Sequence, residues 1–226
     1  MLSIVIPALN AGAHLARTLP LLAASGIADE IVVALAGSQD NTGETAARFG
    51  ARVVAAPRGR GLQLCAGADA AQGEWLLFLH ADTAPGENFA RAVRAFVADP
   101  ANAGRAGVFD LRLDDPAPAA RRIERLARRR TRWLGLPYGD QSLLIHRGLY
   151  ESIGGHPPIP IMEDVAIARQ LGRARLAVLD GAVVTSAERY RRDGYWLRPL
   201  RNLLCLALYF LGVPPAAVAR LYGIVP

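Results

Sequence analysis

Trp75-Leu76-Leu77-Phe78-Leu79-His80-Ala81-Asp82-Thr83 is the stretch on which the reading of this chain turns. Its first five residues are apolar without alternation, the pattern of a strand covered on both faces, as in a parallel sheet flanked by helices. A carboxylate follows where that strand should stop. In open α/β sheets, ligands bind beyond the carboxyl ends of the strands. Asp82 is therefore placed to hold a divalent cation on a diphosphate. The plainer alternative is that it opens a turn or caps the helix after Pro85.

Working outward, residues 2–7 read as a first strand, followed by Asn10-Ala11-Gly12 and a helix to about residue 25. Residues 30–35 and 51–56 read as further strands. Asn41 and Glu44 have the spacing of a capping box for the helix between them. Residues 60–71 have a helical pattern, and a helix over 87–97 puts Phe89, Val93 and Phe96 on one face. Strands alternating with helices in this way predict an α/β protein with a doubly wound, mostly parallel sheet. Arg58 and Arg60 flank a glycine ahead of a helix, where backbone N–H groups and guanidiniums together suit a phosphate. A solvated loop is the plain reading of the same residues.

The second half is less regular. Residues 106–113 read as a strand. A helix over 119–134 has Ile123, Leu126 and Trp133 on its apolar face and Arg121, Arg122, Arg125, Arg128, Arg129 and Arg132 around the rest. Those arginines form either a solvated face or a contact with an anionic surface. A short strand over 142–146 and a helix ending at Gly154-Gly155 follow. Pro157, Pro158 and Pro160 force an extended loop into Met162-Glu163-Asp164 and a helix to Leu171. Residues 176–179 and 182–185 read as two short strands. Residues 203–219 carry no charge, but Pro214-Pro215 interrupts them, leaving less than the ~20 residues a spanning helix needs. With Arg191, Arg192, Arg198 and Arg201 ahead of it, this segment has two readings. One is an interfacial helix on an anionic membrane surface. The other is packing on the domain or on a second copy, which would make the chain a homo-oligomer.

The 226 residues suit one domain, and 52% hydrophobic with 20% charged residues suit a packed core and not disorder. A net charge of +6 points to acidic partners: nucleotide phosphates, anionic lipid or nucleic acid. No nucleic-acid recognition motif accompanies the charge, so nucleic acid is set aside. Every Lys-or-Arg position is arginine, which excludes a lysine-dependent P-loop or Schiff base. Cys65 and Cys205 have no metal-site spacing and fit a reducing cytoplasm. Met1 leads straight into an apolar strand, so no signal peptide is expected.

Together, Ser3-Ile4-Val5-Ile6-Pro7-Ala8-Leu9-Asn10, Gly37-Ser38-Gln39-Asp40, Leu79-His80-Ala81-Asp82-Thr83, Gly139-Asp140-Gln141 and Met162-Glu163-Asp164 resemble, in order, the motifs of family 2 glycosyltransferases, which have the GT-A fold. Arg58-Gly59-Arg60-Gly61 with Gln63, the His-Ala-Asp form of the metal motif, and Thr185-Ser186-Ala187 before an arginine-rich stretch resemble a compact subfamily associated with arsenosugar biosynthesis. The resemblance implies a single domain over 1–226: a nucleotide-sugar-binding half (1–100), an acceptor half (101–190) and a C-terminal helical segment (191–226). It implies inverting transfer of a sugar from a nucleotide diphosphate, a UDP-sugar first among donors, to an acceptor it does not name. Mn²⁺ or Mg²⁺ would neutralise the leaving diphosphate. Asp82 would be the metal ligand, with His80 standing where many relatives have a second aspartate. Asp164 would be the general base, with Glu163 beside it. Pro7, Ala8, Leu9, Asn10, Leu35, Gly37, Ser38, Arg58, Arg60, Gln63 and Ala81 would line the donor site, and Gly139, Asp140 and Gln141 the sugar or acceptor.

The chain departs from the family pattern twice. Ala11 stands where many relatives have an acidic residue. Leu35 stands where many have an aspartate reading uracil, and leucine accepts no hydrogen bond from a base N–H. These departures motivate a competing reading: a non-catalytic nucleotide-sugar-binding or membrane-surface protein on the same fold. A nucleotidyltransferase is disfavoured, because Pro7-Ala8-Leu9-Asn10 replaces the Gly-rich loop it needs after its first strand.

Overall fold

The structure, a computed structural model, describes residues 1–223. Strand β4 (Trp75–Phe78) is buried throughout, and its side chains divide between two cores. Trp75 and Leu77 join Leu15, Leu19, Leu22, Phe89 and Val93 on one face, while Leu76 and Phe78 join Leu64, Ala68, Ile167 and Leu171 on the other. A strand with a core on each side has no solvent face, so its sequence has no alternation.

Around it lie β1 (Leu2–Ala8), β2 (Glu30–Leu35), β3 (Arg52–Ala55), β5 (Thr83–Pro85), β6 (Ala106–Leu113), β7 (Leu143–His146) and β8 (Leu176–Thr185). The sheet order is β3-β2-β1-β4-β7-β6-β8-β5. Parallel pairing joins β1 to β2 and β4, β2 to β3, and β6 to β8. Antiparallel pairing joins β7 to β4 and β6, and β5 to β8. The helices are α1 (Gly12–Ser25), α2 (Thr42–Arg48), α3 (Arg60–Ala70), α4 (Phe89–Ala98), α5 (Pro118–Leu134), α6 (Arg147–Ser152), α7 (Glu163–Leu171), α8 (Glu188–Asp193), α9 (Leu197–Phe210) and α10 (Pro215–Tyr222). This is the mostly parallel, helix-flanked, doubly wound α/β sheet of a GT-A-type fold.

The position of β5 shapes the molecule. Only Leu79-His80-Ala81-Asp82 separates it from β4, yet it pairs with β8 at the far edge of the sheet. The sheet must curl until that edge returns to the carboxyl end of β4. The turn carrying Asp82 spans the closure.

Four expectations need correction. Asn41 makes no cap; Asp40 and Thr42 act instead, and across to the neighbouring helix. Asp40 Oδ2 accepts from Gly12 N at 3.0 Å and Thr42 Oγ1 from Ala11 N at 2.8 Å, so the α2 loop satisfies the start of α1. The two short strands near residue 180 are one continuous strand, β8, with a register shift opposite Val108–Asp110. Helix α4 starts at Phe89, two residues later than expected, but buries Phe89, Val93 and Phe96 as predicted. Of the three large apolar residues expected on its inner face, helix α5 buries only Ile123. It buries Ala120, Ile123, Glu124, Ala127 and Thr131, and leaves Leu126 and Trp133 51% and 67% exposed.

The C-terminal apolar segment is two helices broken at Pro214-Pro215. Cys205 and Leu206 of α9 and Val218 and Ala219 of α10 pack on Ile161, Met162 and Val165 at the start of α7. No helix among the described residues is long and apolar enough to cross a membrane.

Candidate active site

The Asp82 turn is pinned through its backbone on every side. Leu79 N donates to Val5 O at 3.0 Å, Thr18 Oγ1 to Ala81 O at 2.9 Å, Thr83 N to His80 O at 3.1 Å, and Ser186 N to Asp82 O at 3.0 Å. Thr83 and Thr185 hydroxyls meet at 2.8 Å in the closing pair of strands. The Asp82 carboxylate, by contrast, receives no hydrogen bond among the described residues. It is half-buried and faces two adjoining clefts. The helix that follows is not capped by it.

The first cleft, of about 1180 Å³, opens over the carboxyl ends of β1 and β4. Pro7, Leu9, Asn10, Ala81 and Gln63 line it with Arg58, Arg60 and Arg189. Three guanidiniums facing one carboxylate suit a ligand with more than one negative charge. Asn10 has φ +49° and Gly59 φ +137°. The Asn10 side chain accepts from Gln39 N at 2.8 Å and the Asn10 backbone N–H donates to Ser38 Oγ at 2.9 Å, so the loops after β1 and β2 are tied together at the cleft's edge.

The second cleft, of about 760 Å³, shares Arg60, His80, Asp82 and Arg189 with the first. Gly139, Asp140 and Asp164 line it with Tyr138, Tyr190, Arg198, Asn202 and Tyr222. Both oxygens of Asp164 are oriented: Oδ2 accepts from Gly139 N at 2.8 Å and Oδ1 from Val165 N at 2.7 Å. Met162, just ahead, has φ +67°, a strained conformation for a residue with a Cβ, and it turns the chain so that α7 starts at the cleft wall.

Electrostatics separate these groups. Burial, helped by the Arg60 and Arg189 guanidiniums and opposed by Asp82, holds His80 down to about 3. The imidazole is thus neutral and can offer a lone pair. Burial raises Asp140 to about 6, with Asp164 and Asp82 adding to the effect and Arg130 and Arg60 opposing it. Burial likewise raises Glu163 to about 7 against the pull of Arg60 at 3.4 Å. Arg198 is paired with Asp193 at 2.7 Å, a carboxylate it shares with Arg192 and Arg201, and also donates to Tyr222 OH at 2.8 Å, whereas Arg189 has no carboxylate within 4.0 Å among the described residues.

Several expected site residues stand elsewhere. Gln141 faces away from both clefts. Its Oε1 accepts from Arg130 at 2.8 Å and Thr131 at 2.7 Å, and its Nε2 donates to Phe109 O at 3.0 Å, so it ties α5 to β6. Glu163 is fully buried behind the second cleft, holding Arg60. Gln63 lines the first cleft, but its amide is spent on Ala8 O at 2.9 Å and Ala34 O at 3.0 Å. Leu35, Gly37, Ser38 and Ala8 do not line either cleft. Arg189, Tyr190 and Arg198 come from a segment where sequence offers only a run of arginines, with no spacing that singles one out; Tyr138 and Tyr222 carry no sequence signal beyond their type.

No three His, Cys, Asp or Glu side chains among the described residues form a metal cage. An unpartnered carboxylate beside a neutral imidazole still fits a hard cation that arrives on phosphate oxygens, the usual mode for Mg²⁺.

Comparison with known proteins bears on the family and the fold. The chain matches the family model described as glycosyl transferase family 2 over residues 3–154. A search of curated proteins finds no significant match. Among solved structures, glucosyl-3-phosphoglycerate synthase from Mycobacterium tuberculosis, in complex with Mn²⁺, UDP and glucosyl-3-phosphoglycerate, superposes with TM-score 0.59 at 20% identity, over 95% of this chain and 81% of that one. S. aureus TarS 1-349 gives 0.64 at 15% identity, over 91% and 64%. Mannosyl-3-phosphoglycerate synthase from Rubrobacter xylanophilus gives 0.59 at 18%, over 94% and 75%. At these identities the structures show a shared fold; they do not bear on the arsenosugar-associated subfamily. The family match spans well over half of the 226 residues, and the chain therefore belongs to glycosyl transferase family 2.

Proposed function

We propose that the chain is an inverting glycosyltransferase that moves a sugar from a nucleotide diphosphate to an acceptor bound in the second cleft. The observation that carries this is the shared wall: Arg60, His80, Asp82 and Arg189 border both a basic cleft and one holding an oriented carboxylate. A UDP-sugar is the proposed donor. The Mn²⁺- and UDP-bound structure named above supports it, and backbone groups at Pro7–Leu9 would take over from the absent uracil-reading side chain. Arg58, Arg60 and Arg189 would bind the diphosphate. Asp82, with His80, would hold a Mn²⁺ or Mg²⁺ ion, which supplies charge neutralisation to the leaving diphosphate. Asp164 would take the acceptor's proton as its oxygen attacks the anomeric carbon, its two backbone hydrogen bonds keeping the carboxylate in place. Glu163 would act through Arg60, as a positioning residue. A cytoplasmic setting goes with this reading, as does peripheral attachment to the inner face of a membrane. The arsenosugar-associated subfamily is the finer proposal, carried by the Arg58–Gln63 loop and the His-Ala-Asp motif.

A calorimetric panel of UDP, GDP, dTDP, ADP and CDP sugars, with and without Mn²⁺, tests the donor. Asp82→Ala should weaken metal-dependent binding. Asp164→Asn should spare binding and lower turnover by about 10²–10⁴. Absence of metal-dependent binding to any of these diphosphates would sink the proposal. A second reading, a binding protein without catalysis, rests on Leu35 standing away from the cleft; donor hydrolysis or transfer by the purified chain excludes it.

A further inference from the structure

Helix α9 has a partner on only one side. Arg198, Cys205 and Leu206 are buried inward. Leu197, Leu200, Leu204 and Leu211 point outward, 70%, 64%, 48% and 80% exposed. Their offsets of three, seven and fourteen residues put them on one helix face, and Leu203 and Phe210 widen it. A continuous apolar stripe of this length in water marks an interaction surface.

The neighbouring helix supplies the charge. The Arg122 guanidinium of α5 lies 3.7 Å from the centroid of Trp196, the residue that opens α9. On the same face of α5 follow Leu126, Arg129 and Trp133, with Arg129 over the Trp133 ring at 5.9 Å. Among the described residues, no carboxylate lies within 4.0 Å of Arg122, Arg125 or Arg129, whereas Arg121 and Arg128 are paired. The outward surface therefore joins a leucine stripe, two exposed tryptophans and two exposed cations without a carboxylate partner, Arg125 and Arg129, while Arg122 is packed against Trp196.

We propose that this face docks the chain peripherally on a bilayer containing anionic lipid. The leucines of α9 enter the acyl boundary, Trp133 and Trp196 sit at headgroup level, and Arg125 and Arg129 meet lipid phosphates. The fourteen residues of α9 lie in the plane, being too few to span. Charge complementarity favours lipid over a second copy. The one carboxylate within α5 and α9 is Glu124, buried against Arg112 and Arg121. Self-pairing would bring the same cations from both copies with no acid to meet them.

Flotation of the full chain with vesicles of phosphatidylcholine alone, and of phosphatidylcholine with phosphatidylglycerol, tests this. The expected result is binding to the anionic vesicles at low salt, weakened by high salt, with little binding to the neutral ones. Leu200→Gln with Leu204→Gln should abolish it while circular dichroism and melting temperature stay unchanged, since both residues are exposed. Arg125→Gln and Arg129→Gln should each weaken it about fivefold. The inference is overturned by absence of binding to anionic vesicles at low salt, or by equal binding to both vesicles. It is also overturned if the chain sediments as a dimer that the paired leucine substitution dissociates. None of these outcomes depends on which donor the clefts take.

Discussion

Gly139 stands between His80 and Asp164, two groups proposed for the chemistry, and adding one methyl group there tests the arrangement. A Cβ at this position would lie 2.6 Å from His80 Nε2, 2.9 Å from Cε1 and 3.7 Å from Asp164 Oδ2. The first two are well inside van der Waals contact, so in Gly139→Ala either the imidazole or the Gly139 backbone must move. The imidazole belongs to a pinned turn, and the backbone donates to Asp164. Overpacking at such a site costs about 1–3 kcal/mol. In a chain of this length that is a melting temperature lower by about 2–12 °C. The assay is a double-mutant cycle by thermal melting on Gly139→Ala, His80→Ala and the pair. Removing the ring removes the clash, so the pair should recover about 1–3 kcal/mol relative to the sum of the singles. Strict additivity would refute the contact between Gly139 and His80, and with it the packing that places the imidazole beside Asp82.

Two other tests address the second cleft. Asp140 titrates near 6 in the folded chain against 3.8 ordinarily. Its raised value means the folded state holds the proton more tightly, so stability falls as pH rises from about 4 to 6 and stays penalised above that. Asp140→Asn should therefore stabilise the ligand-free chain at pH 8 by up to about 3 kcal/mol and leave it little changed at pH 4; chemical denaturation in EDTA measures both, and equal effects at the two pH values would count against it. Gln141→Leu should strip partners from Arg130, Thr131 and Phe109 O and cost about 2–4 kcal/mol, while the KM for donor in the folded fraction stays the same; a rise in KM without loss of stability would return Gln141 to the substrate site.

The sequence carried much of this, for physical reasons. The unalternated run at Trp75–Leu79 is readable because each face of β4 meets its own apolar core. The motifs after β1 and β4 are readable because strand ends place polar residues at fixed points on an α/β sheet. Helix α5 departs from its periodicity because Ile123 shares the buried face with Ala120, Ala127, Thr131 and a paired Glu124, while Leu126 and Trp133 face out. Periodicity arguments assume the opposite. The three-residue strand β5 is too short to show a period, yet it closes the sheet on Asp82. Arg189 cannot be told from Arg191 and Arg192 by spacing; only the fold turns it to the clefts and its neighbours to Asp114, Asp115 and Asp193.

Strand β4 is also a seam. It keeps a parallel ladder with β1 on one edge and an antiparallel one with β7 on the other. The family model ends at residue 154, short of Asp164, Arg189 and α9. The parallel block β1–β4 and the segments beyond β7 thus meet along a single strand. A substitution beyond β7 can therefore alter the wall of the second cleft or the outer face of α9 while the β1–β4 pairing that frames the first cleft stays as it is.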